Sequence, residues 1–234
     1  MAKYYSKEFN DIPGYAVVAE NGLYEHSFGG NEWLIVDHNS FRDGPATLLT
    51  FDLKDPRMSF LATEALKELP ICSYINSSVM QEPQEYSITP STKTIEVLDK
   101  YVSTQAGFND FNPFPNPLPY KPISLRPLSS EEYPIDESSY NNCLTSINGG
   151  EAFIRVLNVP IWDDNKCVPQ NVDCNNCHAP TIHIVSLGSE NSVESNFVDG
   201  QSLYFGDFIL YFFLCTTCLR IKVISSFPIH SVTQ

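Results

Sequence analysis

The sequence lacks long apolar runs and has few basic residues. Its longest apolar stretch, Phe208 to Leu214, is far shorter than the ~20 residues that a membrane-spanning helix needs. The 234 residues include 14 lysines and arginines against 28 aspartates and glutamates, a formal charge of -14. Nucleic-acid binding depends on basic side chains at phosphates, so we expect no nucleic-acid partner. The same charge repels anionic lipids, so we expect no membrane partner.

The chain also lacks the short motifs of the common enzyme classes. It has no phosphate-binding P-loop, dinucleotide fingerprint, zincin helix, nucleophile elbow or calcium loop. Asp163 and Asp164 are adjacent, and neighbouring side chains on an extended segment point to opposite faces, so this pair indicates a turn or a surface. We therefore expect a protein that is not an enzyme. An enzyme with a site in a cleft between two halves of the chain is the alternative.

No secretory signal is visible, because acidic and polar residues interrupt the N-terminal segment. The seven cysteines are an odd number without the dense spacing of a disulfide framework. That usage favours a reducing compartment, with thiols that bind a metal or nothing. These features predict a cytoplasmic protein.

Most of the chain has the composition of β-strands. "EWLIVDHN", "PATLLTFDL" and "PICSYIN" are predicted strands of the N-terminal part. Between the last two, Asp55 to Pro70 has a possible cap, an early proline and apolar residues at helical spacing, so we predict a helix there. Residues 111–134 contain seven prolines, which exclude a helix and a central strand. We interpret them as a connector packed by its own apolar side chains; a polyproline ligand is the alternative.

These patterns predict an α+β fold that is mostly β, with two similar β-rich halves and short helices. Gly29-Gly30 before "PATLLTFDL" resembles Gly149-Gly150 before "APTIHIVSL", which suggests an internal duplication. The expected division is an N-terminal half at 1–110, the connector at 111–134 and a C-terminal half with metal-binding knuckles at 135–234.

Two Cys-x-x-Cys pairs are the strongest functional signal. Cys174 and Cys177 precede the apolar run "TIHIVSL", and Cys215 and Cys218 lie between "FILYFFL" and "LRIKVISSF". This spacing brings two thiolates onto one side of a tight turn, and two such turns can complete a tetrahedral shell. The four cysteines are thus the predicted ligands of one zinc ion in a zinc-ribbon-like arrangement, with Cys167 as a reserve ligand.

The predicted zinc is structural. A catalytic zinc keeps one position open for water, whereas four cysteines fill the tetrahedron. His178 and His183 are the nearest other candidates, but His183 falls in an apolar alternation typical of a packed or surface residue. The rival interpretations are unligated thiols or one redox-active pair; a redox pair usually opens a helix, and both pairs here lie among strand formers.

Around these residues the chain resembles the YwqG-like family of bacterial proteins of unknown function and, more distantly, the C-terminal region of programmed cell death protein 2. The shared pattern is Gly149-Gly150, the first cysteine pair, an apolar strand, a polar loop and "FGDFILYFFLCTTC". Phe153 stands where that family usually has Trp, and Ser186 where it has Gln. The resemblance implies a mostly β fold in two parts and brings no catalytic residues.

The expected function is a protein-binding module with a basic partner. One version is an immunity or antitoxin-type protein that neutralises a basic toxin, because complementary charge steers encounter and fixes register. The alternative is a chaperone or adaptor for a basic client protein, as the more distant resemblance suggests.

Overall fold

A computed structural model gives the fold. It describes residues 13–39, 44–75, 78–99, 114–132, 143, 146–147, 149–158, 160, 172–190, 197–204 and 208–226. The predicted features at Asp163, Asp164 and Cys167 lie outside these residues. Gly206 and Asp207, in the quoted segment "FGDFILYFFLCTTC", also lie outside them.

The described part of the chain is built from strands joined by turns and short 3-10 helices. The strands are β1 (Tyr15–Val18), β2 (Ser27–Phe28), β3 (Leu34–Val36), β4 (Ala46–Asp52), β5 (Glu68–Ser73), β6 (Gln84–Thr89), β7 (Thr94–Val97), β8 (Lys121–Pro122), β9 (Ser124–Pro127), β10 (Ile154–Val156), β11 (Ile182–Leu187), β12 (Leu210–Cys215) and β13 (Arg220–Ser225). The 3-10 helices are Ser59–Leu61, Ser78–Gln81 and Pro90–Thr92.

The strands form two sheets. The larger has nine strands in the order β3-β7-β6-β13-β12-β11-β10-β1-β9, and the smaller has four in the order β5-β4-β2-β8. Among the described strands, β3 pairs with β7 in parallel and the other pairings are antiparallel. The prediction of a mostly β fold is confirmed. The division into 1–110, 111–134 and 135–234, and the two similar halves, stay predictions.

β12 lies at the centre of the nine-stranded sheet and is buried on both faces. Its Leu210, Phe212 and Leu214 join the main core, whereas Tyr211 and Phe213 join a second cluster on the opposite face. A strand buried on both faces needs apolar residues at every position, which explains the uninterrupted run "ILYFFL".

One apolar core joins the two sheets. It contains Phe28 and Phe51 from the small sheet together with Tyr86 and Phe212 from the large one. Gln84 of β6 adds a buried polar link, since its Oε1 accepts hydrogen bonds from Ser73 Oγ at 3.0 Å and Tyr74 N at 3.3 Å. Burial and hydrogen bonding together fix one sheet against the other.

The predicted helix from Asp55 to Pro70 is wrong. The segment folds into turns and one 3-10 helix, and its last residues enter β5, which pairs with β4 from Asp52↔Glu68 to Ala46↔Ser73. The apolar residues are buried as expected, with Met58, Leu61 and Leu66 at most 1% exposed. Asp55 does not cap a helix, because its carboxylate accepts hydrogen bonds from Arg57 and His26 instead.

The proline-rich connector packs into the protein through its own apolar side chains. Phe114, Leu118, Ile123 and Leu125 belong to the main core. Its strands β8 and β9 lie at sheet edges, where a missing proline N–H does least harm. Both the packing and the exclusion of a central strand agree with the sequence prediction for the described part of this stretch.

Candidate metal centre

The second cysteine pair caps the hairpin of β12 and β13. β12 ends at Cys215, which is paired with Arg220 at the start of β13. Leu219 closes the turn in the left-handed region, at φ 51°, and its carbonyl accepts a hydrogen bond from Ile88 N at 2.9 Å. The flanking strands therefore hold both sulfurs of this pair at one end of the large sheet.

The first pair forms a similar turn ahead of β11. His178 N donates to the Cys174 carbonyl at 2.9 Å, and Cys174 N donates to Ala179 O at the same distance. His178 is left-handed, at φ 58°. In both pairs, then, the residue after the second cysteine reverses the chain through the left-handed region, which non-glycine residues adopt only when the surroundings hold them there.

Backbone N–H groups surround the first sulfur of each turn. Burial opposes ionisation of Cys174, but hydrogen bonds from the N–H groups of Cys177 and Asn176 outweigh it and lower the pKa of Cys174 to about 7. A lowered pKa favours the thiolate, the form that binds a metal.

The pKa values of Cys215 and Cys177 are raised instead. Burial raises the pKa of Cys215, although the N–H of Cys218 donates to its sulfur. The Ala179 N–H favours the thiolate of Cys177, but contacts with the other three sulfurs and burial together raise the pKa of Cys177 to about 12. Four thiolates at these distances repel one another. All four can therefore be ionised at a low cost in free energy only when a cation lies among them.

The four sulfurs converge. The Sγ atoms of Cys174, Cys177, Cys215 and Cys218 all lie within 4.8 Å of one another, and those of Cys177 and Cys215 are 3.6 Å apart. Zinc–sulfur bonds of about 2.3 Å at tetrahedral angles place the sulfurs about 3.8 Å apart. The cluster therefore has nearly the dimensions that a tetrahedral metal ion requires, and the donors suit zinc.

Polar residues tie the two turns together. Glu85 of β6 accepts a hydrogen bond from Asn175 Nδ2 at 2.9 Å and pairs with Arg220 Nη1 at 3.0 Å. Lys222 Nζ donates to Asn175 Oδ1 at 3.3 Å, and Asn176 Nδ2 donates to Cys218 Sγ at 3.3 Å. Arg220 and Lys222 also place positive charge close to a centre that would carry about two negative charges with zinc bound to four thiolates.

The other cysteines that the structure describes, and His183, are not part of the four-cysteine cluster. Cys72 and Cys143 are buried away from the cluster. His183 is a packed residue: its Nδ1–H donates to Asn158 O at 2.9 Å, and its Nε2 accepts from Ser186 Oγ at 3.0 Å. The sequence pattern predicts a packed or surface residue at His183, and the structure shows the packed one.

His183 should make stability depend on pH. Burial lowers the pKa of His183 from 6.5 to about 4, so below about pH 6.5 the unfolded chain binds a proton that the folded protein excludes. Stability is thus fully present above the unfolded pKa and is lost as pH falls towards the folded one. We expect this residue to cost about 2 kcal/mol between pH 7.5 and pH 5, measured as urea unfolding free energy.

His183→Gln should remove that part of the pH dependence. The metal site is the same in both proteins, so its own pH dependence cancels in the comparison. His38→Gln, at a histidine whose side chain is 68% exposed, is the control and should leave the slope unchanged. Equal slopes for wild type and His183→Gln would contradict the buried neutral imidazole.

The structure also contains a polar cleft that no motif in the sequence predicts. Its volume is about 390 Å³, and it lies against the small sheet. Its lining residues are Asn21, Gly22, Tyr24, Glu25, His26, Ser27, Glu32, Thr50, Asp52, Lys54, Lys67, Glu68, Tyr120 and Pro122. They come from separate segments that only the strand order brings together, so no local motif could have revealed the cleft.

His26 in this cleft is fully engaged. Its Nδ1 accepts a hydrogen bond from Asp52 N at 3.0 Å, and its Nε2–H donates to Asp55 Oδ2 at 2.9 Å. Asp55 has no exposed surface and also binds Arg57, whose guanidinium lies over the rings of Tyr15 and Tyr24. Both ring nitrogens therefore serve the fold.

No known family model, curated protein or solved structure matches this chain. The resemblance to the YwqG-like family stays a prediction. Among the residues that the structure describes, no helix is long and apolar enough to span a membrane. The function must therefore be argued from the geometry and chemistry of the sites themselves.

Proposed function

We propose that this chain is a protein-binding module stabilised by one structural zinc ion, and that it binds a basic protein of the kind that an immunity or antitoxin protein neutralises. The observation that carries the zinc part is the convergence of four cysteine sulfurs within 4.8 Å of one another. The charge of -14 supports the basic partner.

Zinc would be held by Cys174, Cys177, Cys215 and Cys218. With four thiolates bound, it would have no open position for water, so it would supply cross-linking and not Lewis-acid chemistry. It would join the turn before β11 to the hairpin of β12 and β13 in the middle of the large sheet. A reducing compartment such as the cytoplasm would keep the thiols available for the metal.

Charge complementarity is the proposed basis of partner binding. A protein with twice as many acidic as basic residues accelerates encounter with a basic protein and rejects acidic ones. This effect is screened by salt, with a Debye length of about 10 Å at 0.1 M ionic strength and about 3 Å at 1 M. Binding should therefore weaken steeply as salt is raised.

The two buried histidines support a role without histidine-based catalysis. A histidine that acts as a general base needs a free ring nitrogen within reach of a substrate. His26 has both nitrogens in hydrogen bonds to the protein, and His183 is 6% exposed with both nitrogens bonded. Neither histidine can take a proton from a substrate without breaking a buried hydrogen bond.

The test is capture of the partner from the native host, followed by reconstitution from purified components. We expect one basic protein at a 1:1 ratio, with affinity falling at least about tenfold between about 0.05 M and about 0.5 M salt. Binding only to the unfolded form of a basic protein would instead support a chaperone for a basic client. A neutral or acidic partner with salt-independent affinity would overturn the proposal.

A further inference from the structure

The cleft contains a buried carboxylate that forms no ion pair within the described part of the chain. Asp52 is 5% exposed, the most buried of the acids and lysines in the lining. Its contacts are backbone N–H groups, from Lys54 to Oδ1 at 3.0 Å and from Glu25 to Oδ2 at 3.4 Å. No ion pair to Asp52 exists among the described residues. Two neutral N–H groups stabilise this carboxylate without cancelling its charge, so it contributes negative charge to the wall of the cleft, which an external cation could neutralise.

The other charged side chains in the lining also leave the cleft with an excess of negative charge. The carboxylate of Glu25 also has no ion-pair partner in the described part of the chain. Glu68 and Glu32 share one cation, Lys93, at 2.6 and 3.4 Å. The four lining acids outnumber the two lining lysines.

The two lysines of the lining are more exposed than the carboxylate of Asp52. Lys54 and Lys67 are both exposed, and Lys67 Nζ donates to Thr63 O at 3.1 Å. A cation can therefore reach the buried acid while the lysines remain in solvent.

The cleft suits an organic cation better than a metal ion. Among the described residues, the four cysteines form the one group of three or more potential ligands close enough to share a metal ion. The carboxylates of the cleft are thus too dispersed for a divalent metal. A volume of about 390 Å³ accommodates a lysine or arginine side chain with its alkyl stem.

One exposed aromatic side chain lines the cleft, and one exposed apolar residue adjoins the lining in sequence. Tyr120 lines the cleft and is 57% exposed, and Leu23, between the lining residues Gly22 and Tyr24, is 89% exposed. An aromatic face next to carboxylates can bind a cation by cation–π attraction and can pack against its stem. Tyrosine is one of the residue types enriched at the binding hot spots of protein–protein interfaces.

We propose that this cleft is the anchor site for a lysine or arginine side chain of the basic partner, with the cationic head at Asp52 and Glu25 and the stem against Tyr120. This inference rests on the proposed function, because it assigns to one cleft the recognition of the partner that the overall charge attracts.

The test uses the 234-residue chain loaded with zinc and a hexa-arginine amide peptide, titrated by calorimetry at low salt. Asp52→Asn keeps the shape and one acceptor oxygen, and should weaken binding about tenfold. Glu25→Gln and Tyr120→Ala change exposed groups, which secures the test if Asp52→Asn fails to fold; each should weaken binding about threefold. Glu131→Gln, an equal loss of charge in the turn after β9, is the control and should bind like wild type.

The outcomes separate the two proposals. Binding to wild type with equal affinities for the cleft variants and Glu131→Gln would overturn the anchor site but leave a basic partner intact. No binding of the peptide to wild type at low salt would overturn the basic-partner proposal as well. Competition by calcium ions alone, at unchanged ionic strength, would show a metal site and would also overturn the anchor.

Discussion

Cys215→Ser is expected to lose zinc and to unfold the large sheet. Structural zinc contributes about 10–16 kcal/mol of apparent binding free energy in small zinc domains, comparable with or above the ~5–15 kcal/mol that stabilises a typical domain. Cys215 ends β12, at the centre of the nine-stranded sheet. Loss of the metal would therefore also destabilise β11 and β13, the strands on either side of β12. The measurements are bound zinc per chain and thermal unfolding by circular dichroism.

The matched control is Cys143→Ser. Cys143 is buried but lies outside the cluster, and its thiol contacts Glu131 O at 3.7 Å, a contact that a hydroxyl can replace. This variant should keep one zinc and lose about 1 kcal/mol, an ordinary cost for one substitution. A strong chelator should reproduce the effect of Cys215→Ser on wild type. If Cys215→Ser melts like Cys143→Ser, the metal does not stabilise the fold.

Asp55→Ala is expected to cost about 3–5 kcal/mol, the usual effect of removing one partner from a buried ion pair. Asp55 is 0% exposed, accepts from His26 Nε2 at 2.9 Å and pairs with Arg57 Nη2 at 2.5 Å. Arg57 in turn donates to Leu125 O at 2.7 Å, so one carboxylate organises the β4–β5 connection against β9. The measurement is the urea midpoint of the zinc-saturated protein.

Asp199→Ala is the control for this change. Asp199 pairs with Lys121 at 2.6 Å, but its side chain is 77% exposed, and exposed ion pairs contribute at most about 1 kcal/mol. Similar midpoints for the two variants would show that the Asp55 network does not hold the small sheet in place.

The strands with mostly apolar sequences could be predicted. "ATLLTFD", "IHIVSL" and "LYFFLC" became β4, β11 and β12, because strands that are buried on both faces are rich in apolar residues. The region from Asp55 to Pro70 was misread because its apolar spacing suits a helix as well as an irregular segment. The pairing of Glu68–Ser73 with β4 makes the end of this segment a strand. The local spacing of apolar residues does not encode such a long-range contact.

The cysteine cluster was predictable and the cleft was not. A Cys-x-x-Cys turn acts locally, so its spacing alone places two sulfurs on one side. The cleft depends on β8 pairing with β2 across about ninety residues of chain. Nor could sequence reveal that Asp52 would be buried without a cation, because that follows from how the segment around Glu25 lies over β4.

The most direct measurement of the central claim is zinc K-edge X-ray absorption on the purified, zinc-loaded chain, with metal content determined on the same sample. We predict one zinc per chain and a first shell of four sulfurs at about 2.3 Å. A shell containing nitrogen or oxygen, or a protein that keeps no zinc after gel filtration, would contradict the structural four-cysteine centre and the binding module built on it.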